Sequence, residues 1–393
     1  MIDAIEPGNR RPDIAPSRWT LAKPCNIGDD RPARRLRFGH RDRLRMIFFS
    51  VGLPGHFSEM CDQLVLGLTE LALGSVALIP IASLDDVAFA VLGSEEAHLV
   101  AASRQPVVRL QSAIVQSGRP FVIAAGELYA ALYDIVQRPG YDVINATREL
   151  ASSCAALLDL TKAPQALVLA DGGDAVALAA AINRHFGFGL SDAEVAQVAH
   201  AAAGAATEQR QQVALWREET SEHEQAIIAG ALAPYERLLA SGGALEPLVW
   251  ERDLFYVTAD DSSGTIVPAT EPIDVTGRAR FLVFGPYINL APGSWSATVV
   301  AGFSAETAGS SFIIEIAAGI QLAYTRVQPT GEQVIETDLQ FAITDAASQP
   351  VEVRIVSERA AFEGRIALGH VHLAPRVRMP SETEQGLIEA LHR

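Results

Sequence analysis

The sequence predicts an α/β domain on a mostly parallel sheet, then a helical connector, then a C-terminal antiparallel β-sandwich. Three observations carry this. Between residues 46 and 190, five short apolar runs alternate with patterns of helical period. Residues 191–243 keep the helical period alone. From Leu248 onward the texture changes to period-two alternation broken by turn clusters. Apolar strands that are continuous rather than alternating are buried on both faces, which implies parallel strands covered by helices. Seven or eight alternating strands in a row imply a sandwich.

The elements follow in order. The predicted strands of the first region are Met46–Val51, Val76–Ile81, His98–Ala102, Phe121–Ala125 and Ala166–Ala170. Helices are expected near Ser58–Leu73, Leu84–Leu92, Val107–Gln116, Leu128–Val136, Thr147–Leu158 and Val176–Phe186. Ser191-Asp-Ala-Glu194 has the spacing of a capping box and opens the connector; Pro234 and Ser241-Gly-Gly243 are expected to close it. The sandwich strands are expected at Arg278–Tyr287, Ser294–Phe303, Ser311–Ala317, Gln321–Gln328, Val334–Phe341, Val351–Ser357 and Gly364–His372. Residues 376–393 read as a tail with a short helix.

Charge is unevenly spread. Residues 1–45 hold eleven Lys/Arg, six Asp/Glu and five prolines, and read as a basic, disordered arm that an acidic partner would attract. The whole chain is −16, so the body after residue 45 is strongly acidic and repels DNA and anionic membranes. No apolar run reaches the roughly eighteen residues of a membrane span. Cys25, Cys61 and Cys154 are odd in number and lack metal spacing. A cytoplasmic location is the resulting expectation.

Ligands of open α/β sheets bind beyond the carboxyl ends of the strands. The first strand runs directly into Gly52-Leu-Pro-Gly-His-Phe-Ser-Glu59. A strand, a Gly-bracketed turn and a helix start present backbone N–H groups where an anion can sit. Gly52, Gly55 and Ser58 are therefore candidate anion or cofactor contacts, the plain alternative being a tight turn. His56 is the titratable side chain of the loop and the candidate acid, base or phosphate contact. Arg104, two residues past the third strand, is the candidate cation for a ligand phosphate or carboxylate; the alternative is a salt bridge to Glu127 or Asp171. Asp171-Gly-Gly-Asp174 has groups that could ligate a divalent cation, but Asp-Gly clusters are ordinary turns, and that is the reading, with no metal expected.

The first half resembles the sulfotransferase-type P-loop fold. Val51–Glu59 falls where that family's 5′-phosphosulfate loop lies. Arg119-Pro-Phe-Val-Ile-Ala-Ala-Gly-Glu127 followed by Ala130-Ala-Leu-Tyr133 is similar to its 3′-phosphate strand and helix. Ala166-Leu-Val-Leu-Ala-Asp171, with Phe186-Gly-Phe-Gly-Leu-Ser191, is similar to its later strand and hinge. The resemblance implies 3′-phosphoadenosine-5′-phosphosulfate as cofactor. The sequence departs from it in having no basic residue in the loop before Ser58, and Gly126-Glu127 where an Arg belongs. Glu127 would repel a phosphate. Two missing charge-assisted contacts, about 1.5–3 kcal/mol each, describe a degenerate cofactor site.

The second half resembles carbohydrate-binding-like sandwiches of bacterial surface-polysaccharide proteins, through Phe284-Gly-Pro-Tyr-Ile-Asn-Leu-Ala-Pro-Gly-Ser-Trp295. Tyr287 and Trp295 are the candidate sugar contacts, with Trp250, Phe255 and Tyr256 as further aromatics. Asp260-Asp261 with Ser262-Ser263 reads as a solvated loop or a structural Ca²⁺ loop. The expected role is a non-catalytic, glycan-associated accessory protein with a glycan or protein partner on the sandwich. The alternatives are a sulfotransferase or glycosyltransferase with a rearranged site, and a scaffold whose Ala-rich helices over 192–240 pack on another chain.

Overall fold

The computed structural model describes residues 46–203, 206–241, 245–258, 265–344 and 349–376. The basic arm, the Asp260-Asp261 loop and the tail from residue 377 lie outside them. The described residues belong to one compact unit.

Five parallel strands make the first sheet: β1 (Met46–Gly52), β2 (Val76–Pro80), β3 (His98–Ser103), β4 (Phe121–Ala125) and β5 (Ala166–Ala170). Their spatial order is β2-β3-β1-β4-β5. All five match the sequence expectation to within a residue, because their apolar runs have no competing helical period. The chain leaves β1 toward β2 on one side and leaves β4 toward β5 on the other. The topological switch point, where such sheets hold ligands, lies between β1 and β4.

Helices cover both faces. On one lie α1 (His56–Leu73), α6 (Ala175–Phe186) and α7 (Asp192–Ala202). Leu64, Leu68, Ile182 and Val198 bury against Phe48, Val100 and Val122 there. On the other lie α3 (Val108–Gln116), α4 (Leu128–Val136) and α5 (Val143–Thr161), packed on Phe49, Val51, Phe121 and Ile123. The helix α2 (Leu84–Gly93) begins at Ser83, whose hydroxyl and the Asp86 carboxylate close a capping box. The expected box at Ser191 and Glu194 is also present.

The connector is three helices, α7, α8 (Ala206–Glu219) and α9 (Glu222–Ser241). Contrary to the sequence reading, Pro234 ends nothing. It sits inside α9 and is buried. A proline in a helix costs about 3 kcal/mol. Here Ile227, Ile228, Ala231, Leu232 and Tyr235 are buried on either side of it and hold the helix together.

The sandwich consists of two antiparallel sheets, beside which the short strands β7 (Tyr256–Thr258) and β8 (Ile266–Pro268) pair with each other and β9 (Ile273–Asp274) pairs with the start of the last strand. One is β15-β12-β17-β6, where β6 is Leu248–Glu251, β12 Gly293–Phe303, β15 Gln333–Ile343 and β17 Arg365–Arg376. The other is β10-β16-β13-β14, where β10 is Phe281–Val283, β13 Phe312–Ala318, β14 Ile320–Val327 and β16 Val351–Ser357. Trp295, Val299, Phe312, Ile314, Val353 and Val371 fill the space between. The strand expected over Arg278–Tyr287 is two strands, β10 and β11 (Pro286–Ile288), both paired to β16. The chain breaks between them at Gly285, whose φ of 118° an L side chain rarely adopts.

The two halves share one apolar core running from the sheet through α5 and α9 into the sandwich. A Cβ at Gly230 of α9 would lie 2.7 Å from the Val249 carbonyl of β6. The Tyr235 hydroxyl donates to the Asn289 carbonyl at 2.8 Å, and Arg148 of α5 donates to the Pro286 carbonyl at 2.7 Å.

Candidate functional site

At the switch point the two crossing loops close on each other. The Leu53 amide donates to the Ala124 carbonyl at 3.2 Å, and a Cβ on Gly52 would meet Ser58 Oγ at 2.3 Å. A Cβ on Gly126 would stand 3.5 Å from Phe57. Leu53 and Phe57 are both buried and fill the crevice. Gly55, with φ 112°, is the N-cap of α1 and lets the chain turn into the helix.

The candidate polar groups divide. Ser58 is buried, and its hydroxyl donates to the Leu53 carbonyl at 2.6 Å, within its own loop. Arg104 is ion-paired, but its partner is Asp62 of α1 rather than Glu127 or Asp171. Asp62 also accepts from Ser50 Oγ of β1 at 2.6 Å. Burial raises the Asp62 pKa, and the Arg104 guanidinium opposes that rise without cancelling it. Sequence reasoning missed Asp62, which stands in α1 among apolar residues; an acid at a core position is itself the signal that a buried cation lies nearby. Its neighbour Cys61 is pushed up to about 12 by burial and then by Asp62, so it stays a thiol.

A cavity of about 600 Å³ lies beyond this closed crevice, between the first turn of α1, the start of α4, the end of β5 and α8. His56 lines it, with Nε2 buried and without a hydrogen-bond partner among the described residues. Its Nδ1 is 3.9 Å from Glu59. Glu127, Asp171 and Glu218 line it too, as does Arg217, whose guanidinium lies 4.1 Å over the Tyr129 ring. Arg104 is not among the lining residues. The residues present do not fit a phosphosulfate donor: the cation and hydroxyl placed for it by sequence are bonded inside the protein, and the cavity carries three carboxylates. No group of three or more His, Cys, Asp or Glu positioned to hold a metal occurs among the described residues.

In the sandwich the structure corrects the aromatic assignment. Trp295 is fully buried, with its indole N–H donating to the Ala291 carbonyl at 3.1 Å, so it is core. Trp250 and Phe255 are equally buried. Tyr287 is half-buried, with φ 64°, and the Arg148 guanidinium lies 5.8 Å from its ring and 5.0 Å from that of Tyr256. Burial, and then the Glu352 charge, raise its pKa.

Apart from Phe362 in the turn before β17, two exposed rings lie on the outer face of the β10-β16-β13-β14 sheet. Phe281 is 52% exposed and Tyr324 61%. Arg354 stands directly across from Glu315, and Glu315 directly across from Tyr324. The Arg354 guanidinium lies 5.5 Å from the Phe281 ring. It donates to Glu315 at 2.9 Å and to Glu352 at 2.8 Å, while Gln321 donates to Glu315 at 2.8 Å. Phe281 stands across from Val356, two residues along from Arg354, so three strand spacings of about 4.8 Å and that offset put the two rings some 16 Å apart. Sequence reasoning missed both rings: the period-two pattern of β14 could have set Tyr324 on the face opposite the buried Val327, but the register shift between Phe281 and Val283 hid the outward aim of Phe281.

No family model matches the chain, and no curated protein matches it. Among solved structures, TmCBM61 in complex with beta-1,4-galactotriose aligns at 10% identity over 33% of this chain and 88% of its own, with a TM-score of 0.21. The CBM36-1 domain of a multidomain xylanase from the hindgut metagenome of Trinervitermes trinervoides aligns at 8% identity over 33% and 98%, with a TM-score of 0.22. A cyclase from Fischerella sp. TAU in complex with an indolyl butanone aligns at 13% over 34% and 77%, with a TM-score of 0.21. At such scores the likeness carries no argument about ligand or activity. No helix among the described residues is long and apolar enough to cross a membrane.

Proposed function

We propose that this chain is a non-catalytic, glycan-binding accessory protein whose sandwich holds sugar on the outer face of the β10-β16-β13-β14 sheet. The observation that carries the reading is the pair of exposed rings, Phe281 and Tyr324, framing the Arg354–Glu315 pair. A pyranose presents an apolar C–H face and a rim of hydroxyls. Exposed rings offer area for the first, and charged side chains held by their neighbours offer donors and acceptors for the second. The ring separation suits an oligosaccharide of two to three units rather than a monosaccharide. Tyr287, at the β11 end of the same sheet, extends the face toward Arg148. Surface-polysaccharide chains are the proposed source of such ligands.

The α/β half supports the non-catalytic part of the reading. Its loop resembles a phosphosulfate site, yet Ser58 and Arg104 are engaged internally. A sulfotransferase would need a cation that the switch point does not supply.

The test is an oligosaccharide array probed with the full chain and with a Phe281→Ala/Tyr324→Ala double variant. Both residues are exposed, so folding should change by no more than about 0.5 kcal/mol per site. We expect retention of one class of oligosaccharide and loss of signal in the variant. Equal binding by both proteins, or no retention by either, would remove the proposal.

A further inference from the structure

We infer that the glycan face takes an acidic oligosaccharide, one whose sugar carboxylate seats in a polar pocket at the end of the same sheet. The inference rests on the glycan reading and names the ligand class of that site. It starts from register. Phe281 stands across from Val356, Val356 from Ile313, and Ile313 from Arg326. One row across four strands thus runs from an exposed ring, over two partly buried aliphatic side chains, to a guanidinium about 14 Å away. Tyr324 lies two residues from Arg326 on the same face of β14, about 7 Å off. Period two brings Ser311, Gln328 and Glu358 to that face one step further on, with the Glu358 amide donating to the Ser311 carbonyl at 3.0 Å.

There the chain frames a pocket of about 380 Å³, lined by Ser310, Ser311, Arg326, Gln328, Glu358 and Arg359. That is within the roughly 300–1,000 Å³ of small-molecule sites. Its one carboxylate is already engaged. Glu358 accepts from Arg326 through Nε and Nη2 at 2.7 Å each and from the Ser311 hydroxyl, and these bonds hold its pKa down to about 2. It stays ionised, so it cancels the charge of Arg326 and fixes that guanidinium in place. Arg359 is exposed and makes no hydrogen bond or ion pair among the described residues, which leaves the pocket one positive charge in excess. The side chains of Ser310 and Gln328 also have no hydrogen-bond partner among the described residues and add neutral donors. A guanidinium fork matches the two oxygens of a carboxylate, and such charge-assisted bonds are roughly twice as strong as those to a hydroxyl. The chain as a whole is acidic, but at physiological salt charges beyond about 8 Å are largely screened, so the local excess decides.

The test is an array of galacturonate, glucuronate and mannuronate trimers, each beside its carboxyl-reduced neutral counterpart, probed with the full chain. At least one acidic trimer should be held about tenfold more tightly than its neutral counterpart, with the gap narrowing in about 1 M salt. Arg359→Gln, at an exposed position, should erase that gap and leave binding of the neutral trimer unchanged. Phe281→Ala/Tyr324→Ala should lose both forms. Equal or tighter binding of the neutral trimers, or a gap that Arg359→Gln leaves intact, would overturn the inference and leave the glycan reading standing. Retention of no acidic trimer would also overturn it, and the glycan reading falls with it only if the wider oligosaccharide array is blank too.

Discussion

The carboxyl end of the parallel sheet and the outer face of the sandwich use charge in opposite ways. At the sheet, Arg104, Asp62 and Ser50 turn inward and satisfy one another beneath α1, leaving a rim of carboxylates around the cavity. On the sandwich, Arg354, Glu315 and Glu352 are partly exposed on the outer sheet face and stand between exposed rings. Cations at the first place hold the fold together. At the second Arg354 keeps 28% of its side chain exposed, beside aromatic area. A positively charged residue near a ligand-type loop is therefore no sign of anion binding until its own partner is known.

This contrast predicts that removing an inward charge damages the fold far more than removing an outward one. The largest effect is expected from Arg104→Ala, which leaves Asp62 buried and unpaired. Loss of one partner of a buried pair costs about 3–5 kcal/mol. Asp62 already binds its proton more tightly in the folded chain than an ordinary carboxyl does. The penalty of its charge is therefore full above the folded pKa and is relieved as pH falls below the unfolded one. Urea unfolding should show the Arg104→Ala deficit at neutral pH shrinking toward acid. Replacing both partners, as in Arg104→Met/Asp62→Leu, should recover much of the loss.

A smaller effect is expected at the far end of the sandwich. Arg326 donates to Glu358 through Nε and Nη2 at 2.7 Å each, and Ser311 adds a third bond. These hold the Glu358 pKa down to about 2. A depressed carboxyl stabilises the fold above its unfolded pKa of roughly 4.3, and the contribution fades as pH falls through the folded value. The melting-temperature gap between the parent and Glu358→Gln should be widest above about pH 5 and close toward pH 2. A gap independent of pH would mean that the ion pair is not its source.

The fold was legible in the sequence where pattern is local. Phe121–Ala125 and Ala166–Ala170 are bare apolar runs, and Ser191 with Glu194 is a cap set by spacing alone. What the sequence hid depends on contacts distant along the chain. Asp62 and Arg104 meet across forty-two positions, and nothing local distinguishes their pairing from one with Glu127. Trp295 reads as a flanking aromatic of a turn, yet alternation along β12 aims it into the core. Pro234 looks like a stop, but packing on α5 and β6 carries α9 past it. Phe281 aims outward while Val283 is buried because the pairing of β10 with β16 shifts register between them.

The most direct measurement is a paired calorimetric titration of one preparation, with adenosine 3′,5′-bisphosphate in one arm and the best oligosaccharide from the array in the other. The account predicts no heat from the nucleotide up to millimolar concentration, and a saturable glycan isotherm that Phe281→Ala/Tyr324→Ala abolishes. Micromolar nucleotide binding with a flat glycan trace would contradict it, and would return the α/β half to the transferases.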